Sequence, residues 1–209
     1  MGKTLNISEI FYSLQGESSF AGFPCVFIRL ATCNLRCSYC DTSYAWGEGR
    51  LMTIDEIMDS IRNYPCSLVE ITGGEPMLQD NISDLFFALQ AADKSILLET
   101  NGSIYLGDVP EYVIKIVDVK TPGSAVGDSF MKWNLKCLNR EDELKFVLTN
   151  YQDYRFALDF ICLNKPEVKT IHLSPVTSVL PPETLAGWML EDGVKARLGL
   201  QLHKLLSLK

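Results

Sequence analysis

The sequence is poor in histidine: its 209 residues include two, His172 and His203, and neither lies near the three cysteines of CNLRCSYCDT. A structural zinc site usually closes with four protein ligands, so this local set is one ligand short. No apolar run approaches the ~20 residues that cross a bilayer. The start of the chain, MGKTLNISEI, has no signal-peptide apolar segment. A cytoplasmic protein with no membrane partner is expected. Basic excess is missing too, since 19 Lys and Arg stand against 26 Asp and Glu for a net charge of -7. Without a bulk positive field, no nucleic-acid partner is expected. No repeat, low-complexity run or linker divides the chain, and with 47% hydrophobic and 22% charged residues, positions 1–209 read as a single domain.

What the chain does have is cysteine, seven in all. An odd number without a secretion signal does not read as a disulfide framework. Cys25, Cys66, Cys137 and Cys162 are scattered and are expected to serve as small buried hydrophobes. Cys33, Cys37 and Cys40 are clustered, and three adjacent thiolates need a cation of substantial charge beside them. One alternative is zinc, with a water or with the distant His172. The other is a 4Fe-4S cluster, which normally takes one cysteine per iron; three cysteines leave one iron open to a small molecule.

The remainder alternates between strand and helix patterns. PCVFIRLATC is β-rich, and LMTIDEIMDSIRNY carries Ile54, Ile57, Met58 and Ile61 at helical spacing behind a Thr53/Glu56 capping box. Strands follow in SLVEIT, SILLET, YVIKIVDVK, ELKFVLT, KTIHLS and KARLGLQLHKL. Helices are expected in ISDLFFALQAAD, around DSFMKWNLKCLN, and in QDYRFALDFICLN and PPETLAGWMLEDG. Such alternation implies βαβ units and a parallel sheet. The unusual polar residues fall at many strand ends: Cys33, TGGEP, Glu99–Asn101, Asp118 and Lys120, Ser174, then Gln201 and His203. Sites drawn from many strand ends mark barrels, whereas a doubly wound sheet uses one switch point. About seven strands are too few for the usual eight-strand closure, so the expected fold is α/β, an incomplete, laterally open TIM-type barrel.

The spacing C-x3-C-x2-C, with TGGEP one strand later, resembles the radical S-adenosylmethionine (SAM) superfamily. FYSLQGE, Arg29 within FIRLATCNLRC, CDT, LLETNG, DVKTPGS and LQLHKLL are similar to the 7-carboxy-7-deazaguanine synthase family. The resemblance implies a radical SAM core, a 4Fe-4S cluster on Cys33, Cys37 and Cys40, SAM on the open iron, and Mg2+ at Thr42. It implies a lyase that turns 6-carboxy-5,6,7,8-tetrahydropterin into 7-carboxy-7-deazaguanine, in queuosine and 7-deazapurine biosynthesis. Hydrogen is abstracted at C6, the ring contracts, ammonia leaves and SAM is regenerated. A homodimer and a flavodoxin or ferredoxin electron donor are further implications.

Residue by residue, the resemblance implies substrate contacts from Leu14, Gln15, Gly16, Glu17, Arg29, Thr72 and His203. It implies SAM contacts from Tyr39, Cys40, Asp41, Gly74, Asp118, Val119, Lys120 and Ser174, while Glu99, Thr100 and Asn101 line the cavity or hold a strand end. An arginine fork suits a carboxylate. Gly73 and Gly74 are expected to let backbone carbonyls approach an ammonium group, and Pro76 to start the next segment. The chain ends LLSLK where family members continue with an aromatic and proline-containing tail, so no C-terminal contact is assigned. Two other readings are a glycyl-radical-enzyme activase, against which FYSLQGE and CDT speak, and a non-catalytic metal-binding module, which has no use for polar groups at so many strand ends.

Overall fold

The computed structural model describes residues 2–208. Nine strands form one sheet: β1 (Thr4–Leu14), β2 (Pro24–Leu30), β3 (Arg50–Thr53), β4 (Leu68–Gly73), β5 (Ser95–Thr100), β6 (Val113–Asp118), β7 (Glu143–Leu148), β8 (Thr170–Pro175) and β9 (Arg197–Leu198). Their order is β3-β1-β2-β4-β5-β6-β7-β8-β9. Every neighbouring pair from β2 through β9 is parallel. The seven strands expected from the sequence are these. The antiparallel pairs β1–β2 and β1–β3 extend the sheet beyond them, and with β3 and β9 at opposite ends the barrel stays open.

Alternation along each strand divides the core in two. Val26, Ile28, Leu30, Val69, Ile71, Leu98, Leu144 and Phe146 face outward and pack with the covering helices. Among these helices are α1 (Ile54–Ile61) and α2 (Ile82–Ala91), which contribute Ile57, Ile61, Leu85, Phe86 and Leu89. Inside the barrel a smaller cluster gathers Phe11, Cys25, Phe27, Leu68, Leu97 and Ile116, with Phe11 and Phe27 stacked at 4.9 Å. Because both faces are buried, the parallel strands read as nearly unbroken apolar runs. The Thr53/Glu56 capping box is formed at the start of α1. Helices α3 (Tyr151–Asn164) and α4 (Pro182–Glu191) follow β7 and β8.

Three expectations are corrected. The segment around DSFMKWNLKCLN is a short 3-10 helix, Lys132–Lys136, not an α-helix. Its cause is Asn134, fully buried, whose amide accepts from Leu106 N–H (3.0 Å) and donates to the carbonyls of Gly102 (2.9 Å) and Ile104 (2.8 Å), pinning the segment to a neighbouring loop. The last strand is two residues long; after it the chain turns into the helix α5 (Leu202–Leu206), so Gln201 and His203 are not strand residues. Leu202 N–H donates to Gly16 O at 2.9 Å, which draws the chain away from the sheet. Of the scattered cysteines, Cys25 is buried, Cys66 and Cys137 are half-buried, and Cys162 is exposed on α3, where it fills no core.

The strand starts are fastened by a buried ion pair. Lys115 Nζ of β6 lies 3.0 Å from Asp142 Oδ2, and the two side chains are 2% and 0% exposed. Asp142 also accepts backbone N–H bonds from Lys115 and Asn139, each 2.8 Å. Replacing Lys115 by Met leaves a buried carboxylate without its cation, which should cost about 3–5 kcal/mol. Urea unfolding of Lys115→Met against the parent measures this, and a loss below about 1 kcal/mol would contradict it.

Candidate active site

The C-terminal ends of the parallel strands open into a cavity of about 220 Å3. Cys33, Cys37 and Cys40 all contribute to its wall. They sit on the loop after β2, a loop anchored by Ser38, whose N–H donates to Ser124 O (3.0 Å) and whose hydroxyl donates to Gly123 O (2.8 Å). Burial pushes the Cys33 and Cys37 thiols above their ordinary value, and each lies within electrostatic reach of Cys40. Such thiols ionise only against a strong positive centre. No three His, Cys, Asp or Glu side chains among the described residues converge on a single metal ion. Three thiols on one wall supply three thiolate donors, so the donor set fits a cluster with one iron left to an outside ligand.

The glycines of TGGEP lie against the backbone that follows β2. Gly73 has φ +135, and a Cβ there would lie 2.1 Å from Leu30 O; a Cβ on Gly74 would lie 2.0 Å from Thr32 O. Their bareness makes room for the backbone that leads into the cysteine loop. Gly74 N–H donates to Leu30 O (3.0 Å) and Glu75 N–H to Thr32 O (2.8 Å). Gly74 still contributes to the cavity wall, and Pro76 opens the short helix Pro76–Leu78.

Glu75, not singled out in the sequence, is wholly buried. Its carboxyl accepts from Thr100 Oγ1 (2.7 Å), Asn101 N (2.7 Å) and Met77 N (3.1 Å). Burial pushes that carboxyl up. Thr100 and Asn101 are thereby held at the end of β5, where Asn101 Nδ2 reaches Asn34 Oδ1 (3.2 Å) and comes within 3.9 Å of Cys33 Sγ.

Deeper in the barrel lies a polar floor. Lys145 of β7, 6% exposed, contacts Glu17 Oε2 at 2.9 Å, pairs closely with Glu99, and lies 4.0 Å from Asp118 Oδ2. Thr72 Oγ1 donates to Glu99 at 3.0 Å. Burial alone would raise the Glu99 carboxyl, but Lys145 and Thr72 outweigh it and hold the group at about 2. Lys120 bonds Asp118 at 2.7 Å; burial works against its charge, yet Asp118 prevails and raises the ammonium. Tyr39 stacks under Lys120 at 5.8 Å and its hydroxyl points to Val147 O (3.4 Å).

The LQGE loop enters this floor from the end of β1. Gln15 is buried; its Oε1 accepts from Glu17 N–H at 2.8 Å while its Nε2 donates to Glu70. Gly16 is the contact point for α5, since a Cβ there would lie 2.2 Å from His203 Nδ1. Gln201 Nε2 donates to Glu17 Oε1 at 2.7 Å, and Lys204 pairs with Asp41 at 2.7 Å. Arg29 Nε lies 2.9 Å from Glu9, which also accepts from Tyr44 at 2.8 Å. Thr42 precedes the 3-10 helix Ser43–Trp46 without capping it through its side chain; its hydroxyl lies 3.7 Å from Cys40 Sγ.

Leu14, Gln15, Gly16, Glu17, Arg29, Tyr39, Asp41, Thr42, Thr72, Gly74, Asp118, Lys120 and His203 are all on the cavity wall. Val119 and Ser174 are not. The Val119 side chain belongs to the outer core, and Ser174 is covered by Gly199, where a Cβ would lie 2.1 Å from its hydroxyl. The sequence reading missed Glu70, Glu75 and Lys145. A charged residue at an inward position of an apolar strand, as in SLVEIT and ELKFVLT, is the signal that finds two of them.

An open parallel barrel bearing three clustered thiols and a bare-glycine strand end defines the radical SAM class of enzymes, and the Radical SAM superfamily profile matches residues 28–124. Membership brings with it a 4Fe-4S cluster, SAM and the need for an electron donor. The chain is 43% identical over 218 residues to the 7-carboxy-7-deazaguanine synthase of Koribacter versatilis, covering 97% of this chain and 96% of that one. It is 45% identical over 204 residues to the 7-carboxy-7-deazaguanine synthase of Chlorobaculum tepidum, covering 96% and 93%. The chain belongs to the 7-carboxy-7-deazaguanine synthase family. The crystal structure of QueE from Escherichia coli shares the fold, with a TM-score of 0.78 at 24% identity over 95% of this chain and 94% of that one.

The ion network gives a pH-dependent signature. A carboxyl held at about 2 instead of its ordinary 4.5 stabilises the fold above pH 4.5, and this stability is lost as pH falls toward 2. Lys145→Met removes the cation responsible, so its destabilisation should be large near neutrality and shrink as pH drops through that window. Denaturant unfolding at a series of pH values measures the difference, and a pH-independent gap would contradict the assignment.

Proposed function

We propose that this enzyme converts 6-carboxy-5,6,7,8-tetrahydropterin to 7-carboxy-7-deazaguanine with loss of ammonia, acting as one domain over residues 1–209. The observation that carries the reading is that the thiol loop, the LQGE loop, Arg29 and Thr72 share one cavity. Cys33, Cys37 and Cys40 would hold the cluster. Tyr39, Cys40, Asp41, Gly74, Asp118 and Lys120 would flank SAM, and Thr42 would contribute a hydroxyl oxygen to Mg2+. When bound, the cluster and SAM supply the one-electron chemistry that starts hydrogen abstraction from the pterin.

The chain's own part is positioning. The Arg29 guanidinium is the group suited to the substrate carboxylate, with Glu9 fixing its Nε. Glu17, fixed by Lys145 and Gln201, offers an acceptor to the pterin amino group. Thr72 and the Leu14–Gly16 backbone supply further polar contacts, and His203 covers Gly16. A barrel interior with an apolar lower half keeps bulk water from the reacting carbon. A homodimer and a flavodoxin or ferredoxin donor complete the reading.

Anaerobic reconstitution with iron and sulfide should give broad visible absorption that bleaches with dithionite. Addition of SAM, Mg2+ and the carboxytetrahydropterin should then yield the deazaguanine product by mass spectrometry. Cys37→Ala should lose both the absorption and the product. A colourless zinc-loaded protein would end the radical reading, and SAM cleavage without the deazaguanine would end the substrate assignment.

A further inference from the structure

Glu70 stands midway along β4, between Val69 and Ile71, which face the helices, so it points into the barrel on the same side as Thr72. It is 3% exposed and contributes to the cavity wall. The strand register places Phe27 on one side of it and Leu97 on the other. Its surroundings are therefore apolar laterally and polar only toward the cavity.

The charges near it are already matched. Lys145 of β7 is shared by Glu17, Glu99 and Asp118. Arg29 of β2 is paired with Glu9, and Lys120 with Asp118. Glu99 of β5, Glu17 of the LQGE loop and Cys25 of β2 are the other titratable groups facing it. Glu70 has no ion-pair partner among the described residues; its side-chain contact is Gln15 Nε2, which donates to Oε2. A charged Glu70 would be a desolvated anion beside the anionic Glu99. Burial first and Glu99 second push its carboxyl well above the usual range.

This changes what the group offers. Glu99, held as an anion by Lys145 and Thr72, can only accept hydrogen bonds, whereas a neutral carboxyl has an O–H to donate. We propose that Glu70 is a specificity-determining residue of the substrate pocket, donating its acid O–H to an acceptor on the heterocycle while fixing Gln15, and with it the LQGE loop, through its second oxygen. This rests on the pterin reading above, whose lactam carbonyl is such an acceptor. Losing the donor leaves a buried acceptor unpaired in the complex.

The test compares reconstituted wild type, Glu70→Val and Glu70→Gln in anaerobic steady-state kinetics. Glu70→Val should raise KM for the pterin about ten- to a hundredfold with a smaller change in kcat. Glu70→Gln, which keeps an uncharged donor of the same shape, should recover most of that, to within about threefold of wild type. KM of the wild type should climb toward alkaline pH as the acid proton is lost, and Glu70→Gln should remove that climb. The wild type should show a protonated-carboxyl band in its infrared spectrum at neutral pH that is missing from the Glu70→Gln spectrum. The visible spectrum of the cluster and thermal unfolding report whether each variant is intact; if Glu70→Val fails to fold, the pH profile and the infrared band of Glu70→Gln decide. Glu70→Gln as impaired as Glu70→Val, a pH profile unchanged by Glu70→Gln, or Glu70→Val with wild-type KM would each overturn the proposal. Wild type that makes no deazaguanine would instead overturn the pterin reading beneath it.

Discussion

The approach of two backbones at the rim of the barrel governs the rest of the site. Gly73 and Gly74 have no side chains, so the chain leaving β2 can lie directly on the end of β4 and hydrogen-bond to it. That contact sets where the cysteine loop begins. Glu75, the next residue, then ties the end of β5 to the same point through Thr100 and Asn101. Three strand ends are thus registered within a few residues of one another, and the thiols take their places from that registration.

A second layer of order is electrostatic. The barrel interior contains more acids than bases, and the fold separates them by environment. Lys145 and Lys120 pair with Glu17, Glu99 and Asp118, while Glu70, two residues deeper than Glu99 on the neighbouring strand and flanked by Phe27 and Leu97, has no ion-pair partner among the described residues. Identical functional groups within one cavity therefore have different hydrogen-bonding capacities. The divergence follows from which cation each can reach.

Much of the architecture could be read from the chain because the parallel strands are buried on both faces and so announce themselves as apolar runs. β1 and β3 could not. β1 carries a register shift between Ile7 and Glu9 that breaks its alternation, and β3 is four residues long with two exposed. Their identity as strands comes from their partners. The helix expected around Trp133 failed for a related reason: a buried amide, Asn134, gives that segment a tertiary anchor that propensity does not encode. At the site, the cysteine spacing and the LQGE and CDT motifs were legible as patterns. Glu75 was not, because it lies beside the strand and its partners come from β5; Glu70 and Lys145 show in the sequence only as charges interrupting apolar runs, and their partners are known only once the neighbouring strands are.

The open edge of the barrel has its own consequence. Between β2 and β9 the wall is knitted by continuous strand ladders, but beyond β9 the chain reaches the LQGE loop through the Leu202–Gly16 and Gln201–Glu17 hydrogen bonds and touches the cysteine loop through the half-exposed Lys204–Asp41 pair. A few isolated bonds part at far lower cost than a ladder. The wall at α5 is thus the least firmly held stretch of the rim, and the part of the molecule that opens at the lowest cost.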